Sequence, residues 1–309
     1  MATTTTIVEP PKLASDSPLT TAHDVRQACR SGSHDTVTAG LAPGLLQANL
    51  IVLPSRYAND FRLLCARNPV PCPLLAESAV PGCFDRLKSC IPHIKDDAWV
   101  GGADDFDIRT DLPRYNIYHN GALTRAGVTD IKAEWNNDHV AFLIGCSFSF
   151  ETALAAAGLT PAHVLQGRNV PMYRTSIPLC PAGIFKGATY VVSMRPYAAR
   201  DVERVRHVTR GFGLTHGEPI DWGWDALARL GIGDVDCPDW GDAALSLEGG
   251  GRLLGRSWGS EEEVPVFWGC GVTPQEAVMR AEGLKGTVMA HQPGCMLVLD
   301  AGDGDVRVV

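Results

Sequence analysis

The chain has 309 residues, enough for one large or two ordinary domains, and its 45% hydrophobic and 20% charged residues are an ordinary globular balance. With a net charge of −8 and no long basic block, nucleic acid is a poor partner, and no apolar run reaches the roughly 18 residues of a membrane helix. The ten cysteines show no C-x-x-C spacing and follow no secretory apolar segment, so they read as reduced, mostly core thiols rather than a disulfide frame or a zinc site.

Met1–Pro18, with its threonine run and three prolines, reads as a disordered tail; it lacks arginine and carries Glu9 and Asp16, which argues against a mitochondrial leader. Thr20 or Thr21 caps a helix that runs to about Arg30 and stops at Gly32. Leu50–Leu53 is a short apolar run. A helix opens at Pro54-Ser55, buries Tyr57, Phe61, Leu64 and Cys65, and ends at Asn68-Pro69. Pro69–Leu75 is too proline-dense for a helix or an inner strand and suits a rigid segment bordering a cleft. Asp104–Arg114 is a charged loop in which Arg109 and Asp111 can pair. Tyr115–Tyr118 is a strand, Asn120-Gly121 signals a hairpin, and a second strand follows near Leu123.

Val140–Ile144 is the pattern of a buried strand. Gly145-Cys146-Ser147-Phe148-Ser149 is a small polar turn, and Phe150–Ala157 is a helix stopped by Gly158, with Ser149 as candidate N-cap. A strand, turn and helix in that order form either a tight joint or an anion site at a helix N-terminus. The pattern recurs at Val264–Val278. There Gly269-Cys270 matches Gly145-Cys146, Thr273 matches Ser149, and Gln275 falls on Glu151. Thr273, Pro274 and Glu276 read as a capping box with proline at the first helical position. Between the two units, Val170–Pro181 is extended, Thr189–Met194 is a strand, Ala199–Arg210 is an amphipathic helix with largely solvated arginines, and Phe212–Trp224 is a loop. Gly249-Gly250-Gly251 reads as a flexible loop and Glu261-Glu262-Glu263 as part of a variable one. Strands at Val266–Trp268, Val288–His291 and Met296–Asp300 and a helix at Pro274–Glu282 complete the pattern. The alternation indicates an α/β fold: a mixed sheet flanked by helices with a smaller α+β subdomain. Residues 19–309 are expected to form two intertwined subdomains, with a boundary near 130.

Several residues could do chemistry. Glu151, near a helix start, is either a carboxylate held by the helix dipole or a general acid or base. Arg174, between Tyr173 and Thr175 on an extended segment, needs a partner. That partner is a protein carboxylate or a substrate carboxylate. His291 stands at a strand end, as a hydrogen-bonded structural group or a site residue. No G-x-S-x-G elbow, Walker loop, H-E-x-x-H or G-x-G-x-x-G is present.

Five stretches together resemble the D-glutamate cyclase family: Gly145–Glu151, Asn68–Leu75, Asp107–Pro113, Met172–Thr175 and Phe267–Gln275. The similarity runs from about residue 20 to the C-terminus. It implies a two-part α/β fold, a place in D-amino acid metabolism, and interconversion of D-glutamate and 5-oxo-D-proline with loss or gain of water. It transfers no catalytic residues, so the roles below come from the residues themselves. Ring closure requires a held α-carboxylate, a deprotonated amine, a stabilised oxyanion and a protonated leaving oxygen. Arg174 is the first candidate clamp and Arg109 the second, with Thr175, Cys270, Gly271, Thr273 and His291 as further substrate-binding candidates. Glu151 is the proton-transfer group. Backbone N–H groups around Cys146, Ser147 and Ser149, and around Gly271–Thr273, are the oxyanion donors. Cys146 as a thioester-forming nucleophile ranks below direct attack by the amine. The expected partner is a small carboxylate or amino-acid substrate, with no cofactor, metal, nucleic acid or membrane. A homodimer is left open. The expected compartment is the cytoplasm, with the mitochondrion left open. The rival readings are a hydro-lyase on another small acid and a carboxylate-binding protein without turnover.

Overall fold

The computed structural model of the chain describes residues 19–101, 106–247, 250–260 and 262–307. The expected tail Met1–Pro18, together with Asp104, Asp105, Gly249 and Glu261 of the expected loops, lies outside the described residues.

Helix α1 (Ala22–Ser31) is capped by Thr21, whose Oγ1 accepts from the Asp24 N–H over 3.1 Å, and closes at Gly32. Strand β1 (Leu45–Pro54) extends the Leu50–Leu53 run in both directions. A short 3-10 turn leads into α2 (Ala58–Arg67), which buries Phe61, Leu64 and Cys65. After the proline-rich segment come β2 (Leu74–Ser78) and β3 (Leu87–Ser89). Strands β4 (Tyr115–His119) and β5 (Ala122–Val128) form the hairpin that Asn120-Gly121 announces, with φ of 51° and 82° at its two turn residues. The first strand–turn–helix unit is β6 (His139–Gly145), a 3-10 turn over Ser147–Phe150, and α3 (Glu151–Ala156). Then follow α4 (Ala162–Leu165), β7 (Met172–Pro178), β8 (Thr189–Ala198), α5 (Val202–Arg210), β9 (Asp221–Trp222) and α6 (Ala226–Leu230). The second unit is β10 (Glu263–Gly269) with α7 (Thr273–Arg280), and β11 (Thr287–His291) and β12 (Leu297–Gly302) complete the elements.

The α/β content is as expected, arranged in two sheets. Eight strands form one sheet in the order β3-β2-β6-β1-β11-β4-β5, with β12 sharing an edge of β1 with β11. Four strands form the other, in the order β7-β8-β10-β9. Where a mixed sheet was expected, every pairing among the described strands runs antiparallel. The central strands β1 and β6 are buried on both faces, which is why they read as continuous apolar runs instead of alternating ones. One face of this sheet packs on Trp99, Ile108, Leu112 and Ile131, and the other on Phe61 and Leu64 of α2 and on Ala277 and Val278 of α7. The smaller sheet has its own core, in which Met194, Phe267 and Trp268 meet Phe150 and Leu154 from the first unit.

Several local expectations are corrected. Strand β2 is an inner strand, between β3 and β6, because the prolines end at Pro73, just before its pairing begins. Ser149 caps nothing: a 3-10 turn precedes α3, and the cap of that turn is Cys146, whose Sγ accepts from the Phe148 N–H. The capping box at Thr273 is absent, since the helix already includes Thr273 and the Glu276 carboxylate is drawn away by Arg174 and Arg280. Arg109 pairs with Asp107, and Asp111 with Arg30, rather than with each other. Glu263 belongs to a strand and is buried, accepting from Ser246, Ser257 and the Leu247 N–H. No helix among the described residues is long and apolar enough to cross a membrane.

Candidate functional site

The two Gly-Cys turns meet between the sheets. Cys146 and Phe148 from the first turn pack with Cys270 and Val272 from the second, together with Val191, Met172 and Met296. The aligned residues do the same work in each unit. Ser149 Oγ accepts from the Gln47 N–H over 3.0 Å and donates to the Gln47 carbonyl over 3.3 Å, fixing the first turn to β1. Thr273 Oγ1 accepts from the Val191 N–H over 3.0 Å, fixing the second turn to β8, while its own proton goes to the Cys270 carbonyl over 2.7 Å. The turn N–H groups of Ser149 and Thr273 donate to the carbonyls of Cys146 and Cys270, so these two candidate oxyanion donors are already engaged.

A buried charge cluster lies beside this junction. Glu151 is 5% exposed and Arg195, from β8, is 0% exposed. Arg195 Nη2 and Nε donate to Glu151 Oε1 over 2.6 and 3.2 Å, Nη2 also to Ser147 Oγ over 3.0 Å, and Nη1 to Ser193 Oγ over 3.2 Å. The guanidinium sits 5.2 Å from the Phe150 ring centre and 5.3 Å from that of Trp268. His163 Nε2, from α4, stands 3.0 Å from Glu151 Oε1. The geometry there is not that of a hydrogen bond, and neither ring nitrogen of His163 has a hydrogen-bond partner. Glu151 Oε2 is likewise buried without one. Burial alone would raise the Glu151 pKa, but the neighbouring His163 and the Arg195 guanidinium outweigh it and hold the carboxyl below its ordinary value. The carboxylate is therefore ionised at neutral pH.

Glu151 also helps line a pocket of about 290 Å³, whose wall includes Leu45, Gln47, Phe148, Thr152, Ala155 and Val164. The pocket is large enough for a small amino acid, and its wall is mostly apolar.

The structure brings Glu151, Cys146, Ser147, Ser149, Cys270, Gly271 and Thr273 together, and it puts Arg174, Thr175, Arg109 and His291 to other uses. Arg174 takes the protein-carboxylate option: it donates to Glu276 Oε2 over 2.8 Å and to Asp239, and lies 4.3 Å from the Trp240 ring centre. Thr175 Oγ1 donates to the Tyr190 carbonyl. Arg109 pairs with Asp107 over 2.8 Å and stacks 3.3 Å from the Phe84 ring centre. His291 is buried among the Leu50 backbone and Gln275, and burial pushes its pKa down to about 4. Gly271 lets the second turn lie against Asn49; a Cβ there would stand 1.9 Å from Asn49 Nδ2. Burial pushes the Cys146 thiol well up, which disfavours the thiolate a nucleophile needs. Among the described residues no group of three or more His, Cys, Asp or Glu side chains is placed to hold a metal ion.

Sequence reasoning missed Arg195 and His163. Arg195 stands one residue beyond the strand expected at Thr189–Met194, in the apolar run Val191-Val192-Ser193-Met194. Like Arg174, it is an arginine among apolar strand residues that must find a carboxylate, and that alone marks it. Nothing around Pro161-Ala162-His163 marks that histidine.

The fold and this site define an α/β protein with a buried charge cluster beside a pocket. Comparison with known sequences places it: the family profile described as D-glutamate cyclase matches residues 140–300. A protein of Schizosaccharomyces pombe is 42% identical over 90% of this chain and 83% of its own length. One from Rubrobacter xylanophilus is 45% identical over 93% of this chain and 98% of its own, and one from Burkholderia multivorans 44% over the same shares. All three carry provisional hydro-lyase names. The chain belongs to the D-glutamate cyclase family of hydro-lyase-named proteins. Among solved structures, a nitrogen repressor-like protein from Methanococcus jannaschii is 11% identical with a TM-score of 0.33, covering 90% of this chain and 98% of that one, a likeness too loose to carry an argument.

Proposed function

We propose that this protein is a hydro-lyase that closes D-glutamate to 5-oxo-D-proline with release of water, or runs the reverse. The observation that carries the reading is the buried Arg195–Glu151–His163 cluster beside the 290 Å³ pocket, in a chain of this family. In ring closure the substrate's α-nitrogen forms a C–N bond with the γ-carboxyl carbon, and one C–O bond breaks. The ammonium gives up two protons, the departing oxygen takes two, and no net proton is exchanged. Glu151 is ionised in the pocket wall, so it can accept a proton from the amine and return it to the oxygen. Arg195, fully buried and not itself part of the pocket wall, fixes that carboxylate. A carboxylate-binding protein would need only donors; a carboxylate in the pocket wall supports turnover instead.

One observation favours a second reading. The residues lining the pocket include no arginine, lysine or histidine. Arg174 and Arg109, both engaged with protein carboxylates, would have to exchange partners to hold a substrate with two carboxylates. A hydro-lyase acting on a less anionic small acid fits that wall better. The test is incubation of the purified protein with D-glutamate, L-glutamate and both 5-oxoproline enantiomers, followed by NMR with and without a chelator. Conversion of the D pair alone is the expected result. Conversion of none overturns the D-glutamate reading and shifts the search to less anionic acids.

A further inference from the structure

Packing does not explain His163. Its side chain is 6% exposed, and neither ring nitrogen has a hydrogen-bond partner. An apolar ring would fill the same space without burying two unpaired polar atoms, which is costly and uncommon in folded proteins. A histidine in such a place calls for a reason outside the core.

Its neighbours supply one. Pro161 and Val164, on either side of it in the chain, belong to the pocket wall; His163 does not, and packs behind two other wall residues. Its ring stacks on Phe148, with 6.1 Å between ring centres and 27° between planes, and Nε2 stands 3.0 Å from Glu151 Oε1. A lone pair facing an ionised carboxylate oxygen at that distance would be repelled, so the proton is on Nε2. His163 also lines a second cavity of about 10 Å³, the size of one water molecule, together with Arg168, Asn169 and Asp242. Arg168 Nε and Asn169 Oδ1 are likewise buried without partners. The ring thus links the pocket wall to a small polar space behind it.

We propose that His163 is a positioning residue of this site, its Nε2–H holding the Glu151 carboxylate from behind the pocket wall. This rests on the hydro-lyase reading above. Oε1 is then held from two elements: by Nη2 and Nε of Arg195 on β8, and by Nε2 of His163 on α4. A carboxylate fixed from both sides keeps one place and one charge state for proton transfer. Cys146 and Tyr197 also lie near it, but burial pushes both groups up, so they stay neutral at neutral pH. Arg195 and His163 are therefore the two groups that set the Glu151 charge.

The test compares the wild-type chain with His163→Phe, which keeps a ring against Phe148 and removes both nitrogens, and with His163→Gln, which returns an N–H. In a ¹³C NMR titration with labelled glutamate, the Glu151 carboxyl signal is assigned by its loss in Glu151→Gln. It should titrate about one unit or more higher in His163→Phe than in the wild type, and His163→Gln should restore part of the difference. The acid limb of the kcat profile on the D pair should move by the same amount, with turnover about tenfold lower per unit within that limb and KM little changed. A Glu151 signal that titrates alike in the wild type and His163→Phe overturns the proposal, whatever the turnover. ¹⁵N NMR of the wild type at neutral pH should show the proton on Nε2 of His163; a bare Nε2 overturns the proposal even where His163→Phe does not fold. If the wild type converts neither compound of the D pair while the titration shifts as expected, the hydro-lyase reading is overturned and the hold of His163 on Glu151 is not.

Discussion

Arg195 and Glu151 are each buried, and each is tolerable only because the other is there. Glu151 Oε1 takes two hydrogen bonds from the guanidinium, and Ser147 and Ser193 take further donors. Such a pair adds little net stability over a well-packed apolar substitute, but removing one member leaves an uncompensated charge in a buried site. Arg195→Met should therefore cost about 3–5 kcal/mol in urea unfolding, and adding Glu151→Gln to it should recover much of that loss. A loss under about 1 kcal/mol in the single variant would show that the pair is not buried as described. At this scale the sequence led to one member of the Arg195–Glu151–His163 cluster. Glu151 was legible because a strand, a glycine break and a helix bracket it, and Arg195 was not, because its strand runs past Met194 to Ala198. Arg174 was legible as an arginine needing a partner, but Glu276 and Asp239 lie about 100 and 65 positions away in the chain.

The two strand–turn–helix units are locked by close backbone approach as much as by hydrogen bonds. At Gly145 the obstacle to any side chain is the Leu214 carbonyl, part of the backbone. At Gly271 the obstacle is the end of the Asn49 side chain, which can turn aside. Gly145→Ala should thus be the more damaging change, costing several kcal/mol, on the order of other overpacked cores or beyond, with Gly271→Ala milder. Equal effects, or the reverse order, measured by thermal unfolding would contradict this reading of the turns. The likeness between the units was legible as Gly145-Cys146 and Gly269-Cys270, and the bonding of Ser149 and Thr273, each accepting from a strand N–H, gives it a structural meaning. Their role was misread as capping because sequence signals for a cap and for a small residue bonding across to a strand are the same: a hydroxyl beside a helix start.

Across the molecule, the larger sheet draws its strands from both ends of the described chain, and the smaller one fills the stretch between. Strand positions were legible from apolar runs and turn residues, whereas pairings such as β1 with β6, β11 and β12 join segments far apart and leave no local mark. The antiparallel sense of every pairing was hidden for the same reason. Burial at the junction also fixes the response to acid. His216 and His291 have pKa values pushed from 6.5 to about 4, so between those values the unfolded chain binds protons that the folded chain refuses. Stability should fall as pH drops through that window, by on the order of 3 kcal/mol per histidine at its lower end. Glu151 acts in the same direction lower still, its contribution being lost as pH falls through its depressed folded value. Urea midpoints recorded from neutral pH downward check this, and a flat profile would contradict it.

The central claim is that the buried carboxylate of Glu151 performs the proton transfer of a hydro-lyase. The most direct test is Glu151→Gln, assayed by NMR on D-glutamate and 5-oxo-D-proline beside the wild type, with circular dichroism to confirm that the variant is folded. The expected outcome is a folded variant whose turnover falls by about 10²-fold or more. A folded variant that converts substrate at the wild-type rate would contradict the claim.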